Sequence, residues 1–462
     1  MRVLGINCLN HDAAMAVVDG SDILWAAHSE RYSKIKNDPN LNSDIVKEAF
    51  SYGPFDKIVY YEKPFLKKYR QFSAGQYNLA FDYKELPWHY LKQFDIKIDE
   101  YISHHESHAA GGYYTSPFKE CNVLVIDSIG EWETITIWHN MKKIKSWKYP
   151  YSLGLLYSAV TDRIGLKANE EEYITMGMSA YGKELIDMRS LLFKNNHRGI
   201  RNSFVGWDNM DLAYSVQKLY ETELLRLVEM CTSVNIVLMG GCALNCVANS
   251  KIQNKNLWIM PNPGDSGSSL GCIAASLKHK LNWKNPFLGH NIEGDYPIED
   301  IIKELETNKM CGVAIGKAEF GPRALGNRSL LADPRGDDIK DKVNAIKKRQ
   351  MFRPFAPAIL EEDAHLYFKF PPLVKKSPYM QFTAECLYPK EFPAIIHVDG
   401  SSRVQTVSED DNLGFYNLLK RWKEKTGCPM LLNTSLNIKG QPIVNDRIDA
   451  YAFQNKYNIK VF

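Results

Sequence analysis

The chain contains 462 residues, which corresponds to about three domains of ordinary size. Its 57 Lys and Arg residues and 54 Asp and Glu residues leave a formal net charge of +3, a value that neither requires nor excludes a nucleic-acid partner. With 45% hydrophobic and 24% charged residues, the composition excludes a disordered chain, a coiled coil and a fibre, and it predicts a globular protein with a large core.

Neither a membrane span nor a disulfide framework is predicted. The longest apolar runs, such as residues 123–126, are far shorter than the ~20 residues that a membrane span requires, and the first residues, MRVLGINCLNHDAAM, lack the apolar run of a signal peptide. The nine cysteines are scattered, odd in number and include no CxxC pair. We therefore expect a cytoplasmic protein of a reducing compartment, without a membrane partner.

Two stretches of the chain repeat a plan of three short strands. Residues 2–30 contain RVLGINC, AAMAVVDG and DILWAAHSE, and residues 122–149 contain NVLVIDS, ETITIWHN and KKIKSWKY. The first turn of each copy carries acidic side chains, Asp12 in one and Asp127 in the other. A duplicated α/β domain with a cleft between its halves explains the repeat, and actin-like and sugar-kinase-like ATP-binding folds are built in this way. Two unrelated meanders are the alternative.

Residues 60–94, between the two copies, are rich in aromatic and basic side chains. Such a segment can follow a phosphate backbone and stack bases. More often it forms amphipathic helices whose aromatic rings pack inward while the lysines remain solvated. The pattern favours this second arrangement.

The motif HHESH offers candidate metal ligands. If a helix begins near it, His104 and His108 lie one turn apart on the same face. The apolar strand VLVI ends at Asp127, and the loop PNPGDSGSSLG offers Asp265. Two imidazoles and two carboxylates suit Fe(II), Mn(II) or Zn(II). A structural role for the histidines is the alternative interpretation.

The segment IVLMGGCALNC places a Gly-Gly turn between a strand and a helix, where backbone amides can approach a nucleotide. A tight strand-to-helix connection is the alternative. A polar stretch rich in Pro and Gly follows residue 280, and we predict a domain boundary near residue 295. A second α/β unit then begins with the strand MCGVAIG.

The second unit contains arginines in Gly- and Pro-rich surroundings, where a guanidinium can be fixed for bidentate binding of a phosphate or carboxylate. Arg323, Arg328 and Arg353 are the arginines in question, and Asn433, Thr434 and Ser435 add donors after a strand. The sequence therefore predicts a pocket for a small anion in this unit.

These motifs, in this order, resemble the ATP-dependent O-carbamoyltransferases that modify hydroxyl groups of antibiotics, nodulation factors and related compounds. The resemblance covers nearly the whole chain and rests on the blocks NCLNHDAAMAVVDG, ISHHESHAAGGYYTSPF, VLVIDSIGEWET, LMGGCALNCVAN, PNPGDSGSSLG, EFGPRALGNRSLLADPR, FRPFAPAIL and LLNTSLN. Of these, GPRALGNRS, FRPFAP and LNTSLN are the most specific.

The resemblance implies an α/β fold with two domains. Residues 1–294 are expected to form an actin-like, duplicated ribonuclease-H-like domain that transfers the carbamoyl group at a metal. Residues 295–462 are expected to form an α/β domain similar to threonylcarbamoyl-adenylate synthases. This domain is expected to convert carbamoyl phosphate and ATP, with Mg accompanying the ATP, into carbamoyl-adenylate.

The resemblance also implies site residues. The metal is expected to be Fe(II), with Mn or Zn as the alternatives. It is expected to be held by His104, His108, Asp127 and Asp265. Carbamoyl phosphate is expected to meet Arg323, Lys347, Arg353, Arg403 and Ser435. The adenylate is expected to lie against Gly240, Gly241 and Asn245.

The acceptor alcohol needs a nearby base, because its pKa lies far above 7. Asp12 in the first turn and Glu172 before the MGMSAYG block are the candidates. The alternatives are a turn residue for Asp12, and a helix cap or surface carboxylate for Glu172.

The acceptor itself is left open between a hydroxymethylated base in DNA, such as 5-hydroxymethylcytosine, and a small sugar or natural-product alcohol. The abundance of Lys, Asn, Ile and Tyr is typical of an AT-rich genome such as that of a bacteriophage. A DNA acceptor would have to be single-stranded or to offer a flipped base. An actin-like ATPase or sugar kinase and a non-catalytic nucleic-acid-binding module are the competing hypotheses, and the oligomeric state, including a homodimer, is undetermined.

Overall fold

A computed structural model describes residues 1–193, 199–200 and 204–462. The chain divides into two compact units, Met1–Ala26 with Pro39–Trp283 and Ala27–Asp38 with Lys284–Phe462. A short segment near the N-terminus thus belongs to the second unit. The predicted functional boundary near residue 295 stays a prediction.

The elements are numbered in chain order. The strands are β1 (Arg2–Asn7), β2 (Ala14–Asp19), β3 (Asp22–His28), β4 (Lys57–Tyr60), β5 (Glu100–Tyr101), β6 (Asn122–Ile126), β7 (Glu133–His139), β8 (Lys142–Lys148), β9 (Asn235–Met239), β10 (Asn256–Trp258), β11 (Phe287–Ile292), β12 (Met310–Ala314), β13 (Gly316–Glu319), β14 (Arg328–Ala332), β15 (Ala356–Leu360), β16 (Phe368–Lys369), β17 (Thr383–Cys386), β18 (Ser401–Arg403), β19 (Gln405–Val407) and β20 (Met430–Ser435). The α-helices are α1 (Glu30–Ser33), α2 (Ser43–Phe50), α3 (Pro64–Ser73), α4 (Tyr77–Phe81), α5 (Pro87–Tyr90), α6 (His104–Thr115), α7 (Leu153–Arg163), α8 (Glu172–Met178), α9 (Asn209–Glu229), α10 (Cys246–Asn249), α11 (Ser268–Leu277), α12 (Ile298–Asn308), α13 (Ile339–Lys347), α14 (Ala364–Tyr367), α15 (Leu413–Thr426) and α16 (Arg447–Tyr457).

Two five-stranded sheets of the first unit have the same topology. Their strand orders are β3-β2-β1-β4-β5 and β8-β7-β6-β9-β10. In each sheet the first strand of the repeat pairs antiparallel with the next strand of the chain and parallel with the fourth, β1 with β2 and β4, and β6 with β7 and β9. The predicted duplication of an α/β half is therefore confirmed, and the chain has the actin-like, duplicated ribonuclease-H-like fold in this unit.

The central strands are apolar because both of their faces are covered. Every residue of β6 is buried, and so is every residue of β1 after Arg2. Parallel strands with helices on both sides characteristically show such continuous apolar runs. At the edge of the second sheet, β8 is exposed along almost its whole length, which explains its lysine-rich sequence.

Small residues allow α6 and α11 to pack against each other. A Cβ atom on Gly271 of α11 would lie 2.0 Å from the backbone oxygen of Ser107 in α6, and one on Gly111 would lie 3.2 Å from Cα of Gly271. Neither glycine has a positive φ, so the close approach of the helices, and not backbone conformation, requires a residue without a side chain.

The second unit is also α/β. Its main sheet has the order β12-β14-β20-β15-β19, with β15 and β19 parallel and the other described pairs antiparallel. The helix α15 contributes Phe415 and Trp422 to the core of this unit. Smaller sheets pair β11 with β13, and β16 with β17 and β18.

The expectation that Arg328 binds an anion is wrong. Arg328 begins β14 and is completely buried. Its guanidinium donates to the backbone oxygens of Asn445, Ile315 and His290 at 3.0, 3.0 and 2.9 Å. Because backbone acceptors occupy all three guanidinium nitrogens, the side chain serves the fold.

Residues 60–94 form helices as predicted, but the predicted orientation of their side chains is wrong. The side chains of Lys67 and Lys68 are only 12% exposed and pair with Glu62 and Glu85. Arg70 is buried and donates to the backbone oxygen of Glu131. Nine large apolar side chains of this segment are instead exposed, namely Phe65, Leu66, Tyr69, Phe72, Tyr77, Leu79, Phe81, Tyr83 and Trp88.

None of the helices within the described residues is both long enough and apolar enough to cross a membrane.

Replacing Gly271 tests the packing of α6 against α11. In a helix interior, a Gly→Ala substitution ordinarily raises the free energy of unfolding by up to about 1 kcal/mol. Here the added methyl group would overlap Ser107, so we expect Gly271→Ala to destabilise the protein by about 1–3 kcal/mol, as in other overpacked cores. Thermal unfolding measures the change. In the control Gly264→Ala the new Cβ has its nearest described neighbour at 3.8 Å, and we expect little effect. A raised melting temperature in Gly271→Ala would contradict the close packing.

Candidate metal centre

Two histidines at the start of α6 bring their ring nitrogens together. The helix begins at His104, so His108 follows one turn later on the same face, as predicted. The Nε2 atoms of the two rings lie 3.1 Å apart, and both side chains are completely buried.

Two carboxylates complete the cluster. Asp127 directly follows β6, and Asp265 begins a short 3-10 turn that precedes α11. Asp127 Oδ2 lies 3.2 Å from Nε2 of His104, and Asp265 Oδ1 lies 3.3 Å from Nε2 of His108. One ligand-type atom from each of the four residues lies within 4.8 Å of the others. The structure thus brings together all four residues that were predicted as metal ligands.

Contacts from outside the cluster orient its carboxylates. Asp127 Oδ1 accepts a hydrogen bond of 3.0 Å from the backbone N–H of Gly241. Asp265 Oδ2 accepts one of 2.9 Å from the Asn10 side chain. Because one oxygen of each carboxylate is engaged in this way, the other faces the histidines.

The backbone of one histidine and the ring of the other are held from outside the cluster. The backbone N–H of His104 donates to Glu131 Oε1 at 3.0 Å, and the same oxygen accepts the N–H of Lys63 at 2.9 Å. Nδ1 of His108 lies 3.4 Å from Oγ of Ser268. A contact on the second ring nitrogen fixes the ring orientation of metal-binding histidines.

The donor set fits a divalent cation. Asp265 Oδ1 is buried and has no hydrogen-bond partner among the described residues. Two imidazole Nε2 atoms that face each other, beside two carboxylates, present lone pairs toward one region. Nitrogen and oxygen donors of this kind suit Fe(II), Mn(II) or Zn(II). The four residues therefore form a candidate metal centre.

The electrostatics of the cluster agree with this fit. Burial lowers the pKa of His104, but the carboxylates of Asp265 and Asp127 outweigh burial and raise this pKa well above its usual value. Burial raises the pKa of Asp265, but His104 and His11 lower it well below its usual value. The buried carboxylates thus favour a compensating positive charge, which a proton or a metal ion can supply.

The remaining histidine of the motif is not part of the cluster. His105 is buried, and its Nδ1 lies 2.9 Å from Oγ1 of Thr136. Burial, followed by repulsion from His104, lowers the pKa of His105 well below its usual value. It is therefore a neutral core histidine, so the structural interpretation holds for one of the three histidines.

The turn after β1 contacts the cluster through Asn10 and His11. The motifs did not predict these contacts. His11 Nε2 lies 3.6 Å from Asp265 Oδ2, and His11 Nδ1 lies 3.1 Å from Asp12 Oδ2. Asp12 has a φ of +58° and its side chain is 30% exposed. The three consecutive polar residues Asn10, His11 and Asp12 were the available signal. A catalytic role for Asp12 stays a prediction.

Glu172 lies at the start of α8. Its Oε1 accepts hydrogen bonds from Ser158 Oγ at 2.6 Å and from the backbone N–H of Asn169 at 2.5 Å. These local contacts match the helix-start interpretation, and its role as a base stays a prediction.

The Gly-Gly turn lies beside the cluster. Gly240 has a φ of +88°, and a Cβ there would lie 2.2 Å from the backbone oxygen of Ile126, so only glycine fits. The Asn245 side chain caps α10 by accepting from Ala248 N–H, and it exchanges hydrogen bonds with Gln217. Nucleotide binding by Gly240, Gly241 and Asn245 stays a prediction.

In the second unit, the structure brings two of the predicted anion-binding residues together. The Lys347 ammonium is buried and donates to Ser435 Oγ at 3.0 Å and to Asn437 Oδ1 at 2.8 Å. Burial lowers the pKa of Lys347 well below its usual value, and the nearby cations Arg349 and Arg353 lower it further. A basic pocket of this kind favours an anion.

Arg323 lies half-buried in a loop that is fixed by a carboxylate. Glu319 Oε1 accepts the backbone N–H groups of Leu325, Asn327 and Arg328 at 2.8, 3.0 and 3.2 Å. Arg403 ends β18 and is also half-buried. Sequence reasoning missed Glu319, because an acidic residue in a strand resembles any other polar strand position.

Removing a ligand tests the metal centre. Loss of a supporting group typically weakens metal binding by about 10–100-fold. We therefore expect His108→Ala to weaken it by more than about 100-fold and Ser268→Ala, which removes only an orienting contact, by about tenfold. Metal analysis after dialysis against Fe(II), Mn(II) or Zn(II) measures this. His139, a half-buried histidine outside the cluster, provides the control His139→Ala. Equal metal content in His108→Ala and the unchanged protein would contradict the centre.

Two domain families match the chain, Carbamoyltransferase N-terminus over residues 65–195 and 185–275, and Carbamoyltransferase C-terminus over residues 302–462. The uncharacterized protein sll1178 of Synechocystis sp. is 31% identical over 97% of this chain and 93% of its own length. Nodulation protein NolNO of Sinorhizobium fredii is 28% identical over 96% of this chain and 76% of its own length. Nodulation protein NolO of Bradyrhizobium diazoefficiens is 31% identical over 76% of this chain and 75% of its own length.

Solved structures similar to this chain include the activator of the 2-hydroxyisocaproyl-CoA dehydratase from Clostridium difficile with bound ADPNP. It is 12% identical and covers 60% of this chain and 95% of its own, with a TM-score of 0.39. A ROK hexokinase from Thermus thermophilus is 14% identical and covers 60% of this chain and 99% of its own, with a TM-score of 0.32. The matches to both domain families, together with the relative that is 31% identical along nearly its whole length, show that the chain belongs to the carbamoyltransferase family.

Proposed function

We propose that this protein is a metal-dependent O-carbamoyltransferase that uses carbamoyl phosphate and ATP and forms carbamoyl-adenylate as an intermediate. The observation that carries the proposal is the buried cluster of His104, His108, Asp127 and Asp265, which fits a divalent cation within the region matched to Carbamoyltransferase N-terminus. The basic pocket around Lys347, in the region matched to Carbamoyltransferase C-terminus, supports a separate site for an anionic substrate.

The first half-reaction belongs to the second unit in this proposal. Water cleaves carbamoyl phosphate into carbamate and phosphate. A carbamate oxygen then bonds to the α-phosphorus of ATP while the bond from that phosphorus to pyrophosphate breaks, which gives carbamoyl-adenylate and releases pyrophosphate. Lys347, whose ammonium already donates to Ser435 and Asn437, would donate to the phosphate of the bound substrate. Arg353, close enough to depress the pKa of Lys347, would contribute a second positive charge.

The second half-reaction belongs to the first unit. The acceptor oxygen forms a bond to the carbamoyl carbon, the bond from that carbon to the adenylate oxygen breaks, and AMP leaves. A divalent ion held by the four-residue cluster would supply Lewis acidity toward the carbonyl or the adenylate phosphate. A carboxylate must accept the proton of the acceptor hydroxyl. Asp12 is better supported for this than Glu172, because its neighbour His11 contacts the ligand Asp265.

Two acceptors fit this chemistry. A hydroxymethylated base in DNA, such as 5-hydroxymethylcytosine, offers a primary alcohol on a flat ring. A small sugar or natural-product alcohol is the other candidate, as the resemblance implies. In either case the acceptor has to reach the metal centre with its hydroxyl exposed, which a paired base in an intact duplex does not allow.

Separating the half-reactions tests the proposal. With labelled carbamoyl phosphate and ATP, we expect carbamoyl-adenylate and pyrophosphate. Lys347→Met removes a buried donor, so we expect it to slow adenylate formation by about 100-fold or more, as does loss of a transition-state donor elsewhere. His108→Ala should leave adenylate formation largely intact and abolish transfer. Lys342→Met, an exposed lysine on the same helix, is the control for Lys347. Release of phosphate alone, without pyrophosphate, would favour an ATPase or sugar kinase instead.

The acceptor is tested with a panel. The metal-loaded protein is supplied with carbamoyl phosphate, ATP and either single-stranded DNA containing hydroxymethylcytosine or small alcohols, and mass spectrometry detects the carbamoyl mass. We expect carbamoylated nucleosides after digestion of the DNA. Unmodified nucleosides together with a carbamoylated sugar or antibiotic would rule out the DNA acceptor.

A further inference from the structure

The helices α3, α4 and α5 present an aromatic face that the proposed chemistry does not use. Residues 64–90, which contain these helices and a short 3-10 turn at Tyr83–Glu85, have nine exposed large apolar side chains, of which seven are aromatic and two are leucines. In α3, Phe65, Tyr69 and Phe72 follow one another at spacings of four and three residues and therefore share one side of the helix. Phe65 and Phe81 are 72% and 73% exposed, which is unusual for phenylalanine. We define the aromatic face as the side chains of Phe65, Tyr69, Phe72, Tyr77, Phe81, Tyr83 and Trp88.

Ring contacts form two groups on this face, both of which include rings of α3. The Phe72 ring lies 5.4 Å from that of Tyr77 and 5.8 Å from that of Phe81, so α3 and α4 contribute to one surface. The Phe65 ring lies 5.2 Å from that of Trp88, which joins α5 to the same surface. Exposed apolar side chains grouped in this way mark an interaction site.

The charges around the aromatic face are positive. Within residues 60–94, all of which the structure describes, the exposed charged side chains are Lys63, Lys84 and Lys92. The carboxylates of this segment are less exposed and engaged, Glu62 with Lys67 and Glu85 with Lys68. The third, Asp82, accepts the backbone N–H of residue 84 at 2.9 Å. The face therefore complements a negatively charged partner.

The aromatic face adjoins the metal centre. Glu131, which accepts the backbone N–H of His104, also accepts the N–H of Lys63, the residue before α3. Arg70, on the inner side of α3, donates to the backbone oxygen of the same Glu131 at 3.2 Å. The ring of Tyr69 lies 5.7 Å from that of Trp132. The helix is thus fixed to the loop that supports the first metal ligand.

We propose that the aromatic face binds single-stranded nucleic acid, with bases stacked on the rings and phosphates near Lys63, Lys84 and Lys92. Exposed rings with flanking cations are the arrangement by which proteins hold single strands without reading their sequence. The inference rests on the proposed function and deepens it. It assigns the class of partner that would deliver an acceptor base to the metal centre.

Other occupants of the face fit less well. Membrane-surface helices are amphipathic and bury aliphatic as well as aromatic side chains, whereas aromatic rings outnumber leucines here by seven to two, and the longest of the three helices has ten residues. A second copy of the chain would bring the three exposed lysines toward their own counterparts, since a two-fold interface is self-complementary.

The test is binding of a labelled 20-mer of deoxythymidine, followed by fluorescence anisotropy without ATP or carbamoyl phosphate. Stacking on one ring typically contributes about tenfold to affinity, so we expect the triple variant Phe65→Ala, Tyr69→Ala, Phe72→Ala to bind at least about 100-fold more weakly. Phe72→Trp should retain affinity, because a larger ring still stacks. The control replaces two exposed aromatic residues elsewhere, Trp207→Ala with Tyr451→Ala, and should bind normally.

The lysines are tested separately by their salt dependence. Replacing Lys63, Lys84 and Lys92 by Gln should reduce the slope of log affinity against log salt by about two, since each phosphate contact on a single strand contributes about 0.7. An unchanged slope would overturn the assignment of phosphates to these lysines.

Three outcomes would overturn the inference. The first is equal oligonucleotide affinity in the triple variant and the control. The second is binding to vesicles of phosphatidylcholine with 30% phosphatidylserine, lost in the triple variant, without oligonucleotide binding, which would indicate a membrane. The third is dimerisation in ultracentrifugation that the triple variant loses, again without oligonucleotide binding, which would indicate a second copy. Pyrophosphate formation is measured in every variant, so failure of carbamoyl-adenylate chemistry is recognised independently of failure to bind the strand.

Discussion

Two carboxylates and two imidazoles are buried within 4.8 Å of one another in the first unit, and the mutual repulsion and desolvation of the carboxylates have to be balanced by positive charge. The charges of the protein itself reflect this need. Neighbouring charges outweigh burial, so they raise the pKa of His104 and lower the pKa of Asp265. A divalent cation would meet the same need. The surrounding contacts, from Asn10, Gly241, Glu131 and Ser268, serve to hold the four residues in this arrangement.

The duplicated sheets make the cluster possible because they deliver ligands from separated parts of the chain. Asp127 follows the central strand of one sheet, while His104 and Asp265 lie at the starts of α6 and of the turn before α11. The two helices approach closely only because Gly271 leaves room for the Ser107 backbone. A wider separation would move the histidines away from Asp265, so the packing of small residues and the chemistry of the site are linked.

The second unit uses cations in two opposite ways. Arg328 is buried and satisfied by backbone oxygens, which makes it a fixed part of the sheet. Lys347 is also buried, but its partners are a hydroxyl, an amide and a backbone oxygen at the end of β20, and Arg349 and Arg353 add further positive charge. Among the described residues no carboxylate pairs with the Lys347 ammonium, and a group of cations of this kind favours an anion.

By itself the sequence determined the duplication and the four ligand-type residues, because these depend on local periodicity and on short, specific motifs. The helix start at His104 was only a condition of the prediction, and the structure supplied it. The sequence did not determine which side of α3 faces inward, since Lys67 and Arg70 are turned inward by Glu62 and by the backbone of Glu131, both outside the helix. It likewise could not separate Arg328, whose guanidinium donates to backbone oxygens, from the other arginines that were predicted to bind an anion. Only the tertiary structure decided these points, because hydrogen-bond partners far apart in the chain determine whether a charged side chain is buried for the fold or left to bind a ligand.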